Sequence, residues 1–208
     1  MEKINKTNWI LWGLWGLTVG VFLWSGVRPR DPLTWGLEVF PVVVGGILLA
    51  MTHRRFPLTR LATVLIAFHM MILCVGGHYT YAEVPLFNWV RDAFGLARNH
   101  YDRVGHFAQG FVPAILAREI LIRKDVVRSR GWLFFIVVCI CLAISASYEF
   151  LEWGTALLAG GKSEAFLGTQ GDPWDTQNDM WMALVGAFIA PLTLGRRHDR
   201  QLAGRGPQ

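Results

Sequence analysis

The chain has 208 residues, 53% of them hydrophobic and only 17% charged, and it carries 10 tryptophans. Soluble domains run at roughly 25% charged, so this composition excludes an ordinary soluble protein and points to one all-α integral membrane domain over residues 1–208. The net charge of +5 does not mark a nucleic-acid binder, because the basic residues sit in clusters between apolar runs.

A helix needs about 20 apolar residues to cross a hydrocarbon core. Six segments meet that length, near 9–27, 34–52, 58–76, 103–122, 132–158 and 175–195. The first opens with Trp9, Trp12 and Trp15, residues suited to a membrane interface, and it is too long and lacks the small-residue site of a cleaved signal peptide. Pro29 and Pro32 break helix before the second, and the tight basic turn THRRFPLTR joins the second to the third.

With six spans and an inner N-terminus, Lys3, Lys6, Arg54, Arg55, Arg60, Arg118, Arg123, Lys124, Arg128, Arg130, Arg196, Arg197, Arg200 and Arg205 fall inside. Arg28, Arg30, Arg91, Arg98, Arg103 and Lys162 fall outside. The excess of inner charge favours this orientation, so both termini are expected in the cytoplasm.

The third span carries His69 near its middle, which reads as a packing residue, and delivers GGHYTYAEVP to the outer surface. From Pro85 to His100 the chain reads as an amphipathic helix on the outer leaflet, a candidate lid. Leu86, Val90, Ala93 and Ala97 follow helical spacing there, while Asn88, Arg91, Asp92 and Asn99 occupy the other side. The fourth span opens with Asp102, His106, Gln109 and Pro113 as one polar stripe. On the fifth, Ser145, Glu149 and Glu152 share the outer half of one face. The sixth brings Asp175 and Asp179 to the same depth, after Asp172-Pro173, which reads as a helix start. Cys74, Cys139 and Cys141 lie in apolar runs and read as core thiols rather than a disulfide or metal clip. Glu83, Asp92 and Glu164 read as solvated charges, and Gly168 and Gly171 as turn residues.

Acids within a bilayer are expensive and usually face a protein interior or a wet cavity. Their convergence predicts an outward-facing pocket lined by Asp102, His106, Gln109, Glu149, Glu152, Asp175 and Asp179, with His78, Tyr79 and Tyr81 at its rim. His106, Glu152, Asp175 and Asp179 are the candidate ligands of a divalent cation. Glu149 and Glu152 are the candidate catalytic carboxylates if the cation activates water. The competing reading is structural: Asp172 as a cap, Asp102 with His106 as a local pair, and Arg98 or Arg103 neutralising a nearby acid. Ser145 and Ser147 make a weak case for a nucleophile.

The segments GGHYTYAEVP, RNHYDRVGHFAQGFVPA, YEFLEWGTALLAG and FLGTQGDPWDTQNDMWMALVGA resemble the YjdF family of bacterial inner-membrane proteins, across essentially the whole chain. The chain is more distantly similar to VanZ-like membrane proteins. Asp102 and His106-Phe107, then Glu149 with Glu152, then Asp175 or Asp179 with Gly186 match that pattern. It departs at Glu152, where Gln is usual, and at Met180 to Ala183, where Asn is expected. The first resemblance implies a bacterial inner-membrane location. The second implies a role at the outer face, linked to the cell envelope and glycopeptide tolerance. Three functions remain open at this point. They are binding of a cation, lipid headgroup or lipid-linked envelope precursor; metal-dependent hydrolysis or transfer on a lipid; and cation- or proton-coupled transport. The last would need a polar path to the cytoplasm, for which Arg118 and Glu119 are the only hints.

Overall fold

The apolar runs become helices bounded by the breakers and caps the sequence provides. In the computed structural model of the protein, residues 6–159 and 169–204 are described. They form α1 (Lys6–Ser25), α2 (Pro32–Thr52), α3 (Arg60–His78), α4 (Pro85–Phe94), α5 (Tyr101–Arg123), α6 (Arg130–Ala159) and α7 (Asp175–Ala203), and the described residues contain no strand. The expectations for Lys3, Lys162, Glu164, Gly168 and Arg205 lie outside the described residues. Asp31 caps α2 by accepting from the Thr34 N–H at 2.6 Å, with Pro32 in the first turn, and Thr59 caps α3 through the Ala62 N–H at 3.3 Å. Both satisfy donors that a helix start leaves open.

By length and composition, α2, α3 and Arg130–Leu158 of α6 are able to cross a membrane, while the apolar part of α1, Trp9–Ser25, is shorter. Helices α5 and α7 are more polar because they carry Asp102, Arg103, Arg118 and Glu119, and Asp175, Asp179 and the Arg196–Arg200 stretch. Those groups turn inward or cluster at the helix ends. The outward surface is apolar: Trp12 and Leu192 are each 72% exposed and Leu158 is 92% exposed. Patches of that extent are untenable in water and normal against lipid.

Helix α5 is central, packed on α3, α6 and α7, while α3 carries α1 and α2 on its other side. The α5–α7 contact is the most intimate, and its cause is small side chains. A Cβ on Gly110 would collide with the Ala183 carbonyl, and one on Gly186 with the Phe107 carbonyl and the Phe111 N–H. Ala183, Ala187 and Ala190 complete the seam with no exposed surface. Close backbone approach over small residues is how helices associate in a bilayer, where lipid removes most of the hydrophobic drive.

Three local expectations are corrected. The amphipathic helix ends at Phe94, because Gly95 adopts φ 62° and caps it, so Ala97 is not on its face; a left-handed residue terminates a helix. The last helix continues well past residue 195 to Ala203, where Gly204 follows it. Cys139 is exposed on the outward face of α6, whereas Cys74 and Cys141 are buried.

Candidate functional site

At one end of the bundle, acids from α5, α7 and the segment before α7 meet two arginines. Arg98 and Arg103 both pair with Asp175, and Arg103 also pairs with Asp179. Asp172 lies 2.9 Å from Arg103 and 3.4 Å from Arg98, and Asp102 lies 3.6 Å from Arg98. Arg98 and Arg103 are buried, and their planar forks suit several carboxylates at once. Neutralisation by these arginines, raised above as a structural alternative, is what surrounds Asp175.

Asp172 does not start α7, which begins at Asp175. It instead closes the preceding turn by accepting from the Trp174 N–H at 2.9 Å and from the Asn178 amide at 2.9 Å. The Trp174 N–H, opposed by partial burial and reinforced by Asn178, Arg103 and Arg98, holds the Asp172 carboxyl below its ordinary value. Burial, with Arg98 and Arg103 nearby, pushes the His100 imidazole below its ordinary value. Beside them Asn99 is fully buried. It donates to Val84 O (3.1 Å) and Asn88 (2.9 Å), accepts from the Tyr101 N–H (3.0 Å) and exchanges two hydrogen bonds with Gln170. This knot joins α4, α5 and the segment before α7. The sequence reading placed Asn99 only on a solvated face.

Deeper, His106 is the hub. Its Nε2 is 3.5 Å from Asp102 and 3.7 Å from Asp179; its Nδ1 is 3.0 Å from Gln109 Oε1 and 3.8 Å from Glu149. Two overlapping groups, Asp102–His106–Asp179 and His106–Glu149–Glu152, each offer ligand atoms within 4.8 Å of one another, all buried. Donors around one ion lie about 4–5 Å apart across it, so either group is the right size. Asp175, a predicted ligand, belongs to neither and is turned to the arginines. Glu149 Oε1 is buried without a hydrogen-bond partner, so the second group retains a free acceptor.

His106, Asp102, Glu152 and Gln109 form the polar end of a cavity of about 600 Å³ between α2, α3, α5 and α6. Its remaining walls are apolar, among them Leu73, Ile140, Ile144 and Leu151. Glu38 of α2 also faces this cavity, buried, and accepts a 2.6 Å hydrogen bond from Tyr148 of α6. Sequence reasoning passed over Glu38, although a lone carboxylate in PLTWGLEVFPVVV carries the same signal as Glu149. Tyr81 lines the cavity. Its ring fills the space a Cβ on Gly76 would occupy and also abuts Gly105. Thr80 and Tyr81 hold φ of 53° and 54°, a costly backbone for a β-branched residue and one found where the surroundings enforce it.

His78 and Tyr79 are not in the cavity lining. His78 Nδ1 meets Ser25 O at 2.9 Å, and its ring packs on Trp24 at 4.4 Å and Tyr79 at 4.6 Å, which ties α3 to α1. Ser147 donates to the Ala143 carbonyl at 2.7 Å. Ser145 is fully buried and stands outside the cavity lining. At the opposite end of the bundle, Arg118 and Glu119 belong to a closed network. Glu119 accepts from the Thr59 N–H (2.8 Å) and hydroxyl (2.6 Å) and from Arg123 (3.0 Å), and meets His198 at 3.1 Å. Arg118 reaches His198 and Asp199. These groups fasten α3, α5 and α7 together.

The comparisons bear on what this architecture is. The family described as "Predicted membrane protein (DUF2238)" matches residues 10–200. The chain is 52% identical over 182 residues to "Inner membrane protein YjdF" of Escherichia coli (strain K12), covering 88% of this chain and 87% of the relative. No solved structure matches. The apolar outer surface, the helices long enough to cross a bilayer and this match over nearly the full length agree: the chain belongs to the DUF2238 family of membrane proteins.

Proposed function

We propose that the protein crosses a bacterial inner membrane six times with both termini in the cytoplasm. In the outer half it binds a divalent cation together with the headgroup of a membrane amphiphile, a lipid or lipid-linked envelope precursor. The positive-inside distribution of Lys and Arg supports the orientation, and the relative named an inner membrane protein supports the location. Burial of the polar faces of α5 and α7 against each other makes them suitable as spans despite their charges.

The observation that carries the binding reading is the cavity itself. One end presents Glu38, Asp102, His106, Gln109 and Glu152, and most of the rest is apolar. Sites for small ligands combine a mostly apolar wall with a few convergent polar groups in about 300–1,000 Å³. His106, Glu149 and Glu152 would hold the cation, which offsets the mutual repulsion of the acids and attracts a phosphate or other anionic headgroup.

The test is extraction of the purified protein with organic solvent and identification of the released amphiphiles. The expected result is one species enriched over bulk membrane lipid and depleted in His106→Ala and Glu152→Gln. The same bulk proportions in all three proteins would sink the proposal. Glu149 favours a second reading, a metal-dependent hydrolase or transferase acting on the bound lipid. Its Oε1, buried without a hydrogen-bond partner, would be free to take a proton from a metal-activated water. In that case His106 and Glu152 carry the cation without Glu149, and Glu149→Gln retains lipid but abolishes turnover. Transport gains no comparable support, since the walls beyond the polar end are mainly apolar.

A further inference from the structure

A second cavity, of about 530 Å³, lies between α2, α3 and α5 toward the end of the bundle opposite the acids. It meets the first around Pro41, His69, Leu73 and Pro113, which line both. Its walls are almost wholly apolar, with Val42, Leu48, Ile66, Met70 and Leu116 among them. At its open end stand Arg55, Phe56 and Lys124. Proline within a helix removes a backbone donor and crowds the preceding turn. Pro41 of α2 and Pro113 of α5 stand where the two cavities meet.

The charges at the mouth are the informative feature. Arg55 and Lys124 are both exposed, and neither has an acidic partner among the described ion pairs. Several neighbouring bases are engaged, Arg123 by Glu119 and the Pro57 carbonyl, Arg118 by Asp199, and Arg128 by Asp125, and Arg54 and Arg60, which also lack an acidic partner among the described ion pairs, do not line the cavity. Arg123 and Lys124 also stand over the Phe56 ring, at 3.7 and 5.5 Å from its centroid, and thereby fix that side of the opening. An apolar chamber that ends in two cations without counter-ions has the polarity of one ligand class. That class is an anionic glycerophospholipid, chain inward and phosphate at the mouth. Basic pockets between helices on the cytoplasmic side recognise such headgroups.

We infer that the cavity between α2, α3 and α5 is a binding site for an anionic phospholipid of the leaflet at the basic end, with an acyl chain beside Leu116 and Met70 and the phosphate between Arg55 and Lys124. This site is separate from the acidic pocket, and its occupancy does not depend on the activity proposed there. His69 Nε2, buried without a hydrogen-bond partner, marks the inner limit of the chain.

The test uses the full-length protein, purified in detergent, stripped of lipid and titrated with dioleoyl-phosphatidylglycerol while native mass spectrometry counts bound copies. One copy should saturate. Each Lys or Arg near a headgroup contributes about fivefold to binding, so Arg55→Gln with Lys124→Gln should weaken it about 25-fold. Dioleoyl-phosphatidylcholine should bind far more weakly, and excess inorganic phosphate should not displace the lipid, because the chain supplies most of the contact. Leu116→Trp, which fills the chamber, should abolish the saturable copy while leaving helicity intact. Equal affinity of wild type and the double charge variant would overturn the inference. So would displacement by inorganic phosphate alone, or undiminished binding to folded Leu116→Trp. Should Leu116→Trp fail to fold, the charge variant decides.

Discussion

Tyr148 on α6 donates a 2.6 Å hydrogen bond to Glu38 on α2, across the cavity that separates these two helices. The residues are 110 positions apart in sequence, and Glu38 is 5% exposed. Among the described hydrogen bonds this is the tie between α2 and α6. A buried acceptor that loses its donor bears its full desolvation cost, about 1–3 kcal/mol. Tyr148→Phe should therefore lower thermal stability in detergent by that amount. Adding Glu38→Gln should recover part of the loss, because an amide supplies its own donors. A melting temperature unchanged in Tyr148→Phe would show that the bond contributes nothing.

The two arginines behave as one unit with the acids around them. Arg103 touches Asp172, Asp175 and Asp179, and Arg98 also reaches the first two, so its removal leaves the buried Asp179 without an arginine counter-charge. Breaking a buried pair from one side typically costs about 3–5 kcal/mol, and Arg103→Gln should fall in that range or fail to accumulate. Arg103→Lys should lie between, since a point charge cannot reproduce a planar fork. Comparison of purified yield and melting temperature checks the order.

The α5–α7 seam depends on the absence of side chains at Gly110 and Gly186. Gly186→Val places branched carbon against the Phe107 backbone carbonyl, which no rotamer change relieves. It should cost more than the roughly 1–3 kcal/mol of ordinary overpacking. Gly36→Ala is the control: a Cβ there meets nothing within 4 Å, and alanine stabilises a helix interior by about 0.8–1 kcal/mol over glycine. Opposite signs in the two variants, read by thermal unfolding, are the expected outcome.

Acid should loosen the same end of the bundle in two windows. His100 has its folded value depressed, so the unfolded chain takes up a proton first, and stability falls as pH drops below about 6.5. Asp172 is also depressed. Its stabilising share is present above the ordinary Asp value of about 3.9 and is lost as pH falls through the lower folded value. Melting curves across pH should show a shallow first loss that disappears in His100→Asn and a second that is reduced in Asp172→Asn. A flat profile down to strong acid would contradict both assignments.

How much of this was legible in the sequence follows from the range of the interactions. Apolar runs bounded by Pro, Asp and Thr mark the helices because their cause is local, and the stripes Asp102–His106–Gln109 and Glu149–Glu152 are helical spacings read directly. Pairing across the fold is not local. Glu119 finds Thr59 and His198 at separations of 60 and 79 residues, and nothing in Arg118-Glu119 distinguishes a closed network from a path. His78 was read as rim because it precedes Tyr79 and Tyr81, but the end of α3 turns it toward Ser25 and Trp24. Glu38 carries a local signal, the cost of a lone acid in an apolar run, but its partner Tyr148 lies 110 positions away.

The central claim is that His106, Glu149 and Glu152 hold a divalent cation at the polar end of the cavity. Its most direct measurement is the metal content of protein purified without chelators, by elemental mass spectrometry, beside His106→Ala and Glu152→Ala. The account predicts close to one divalent ion per wild-type chain and its loss from both variants while helicity and monodispersity are kept. Wild-type protein without stoichiometric metal, even after equilibration with magnesium, manganese, calcium and zinc, would contradict it.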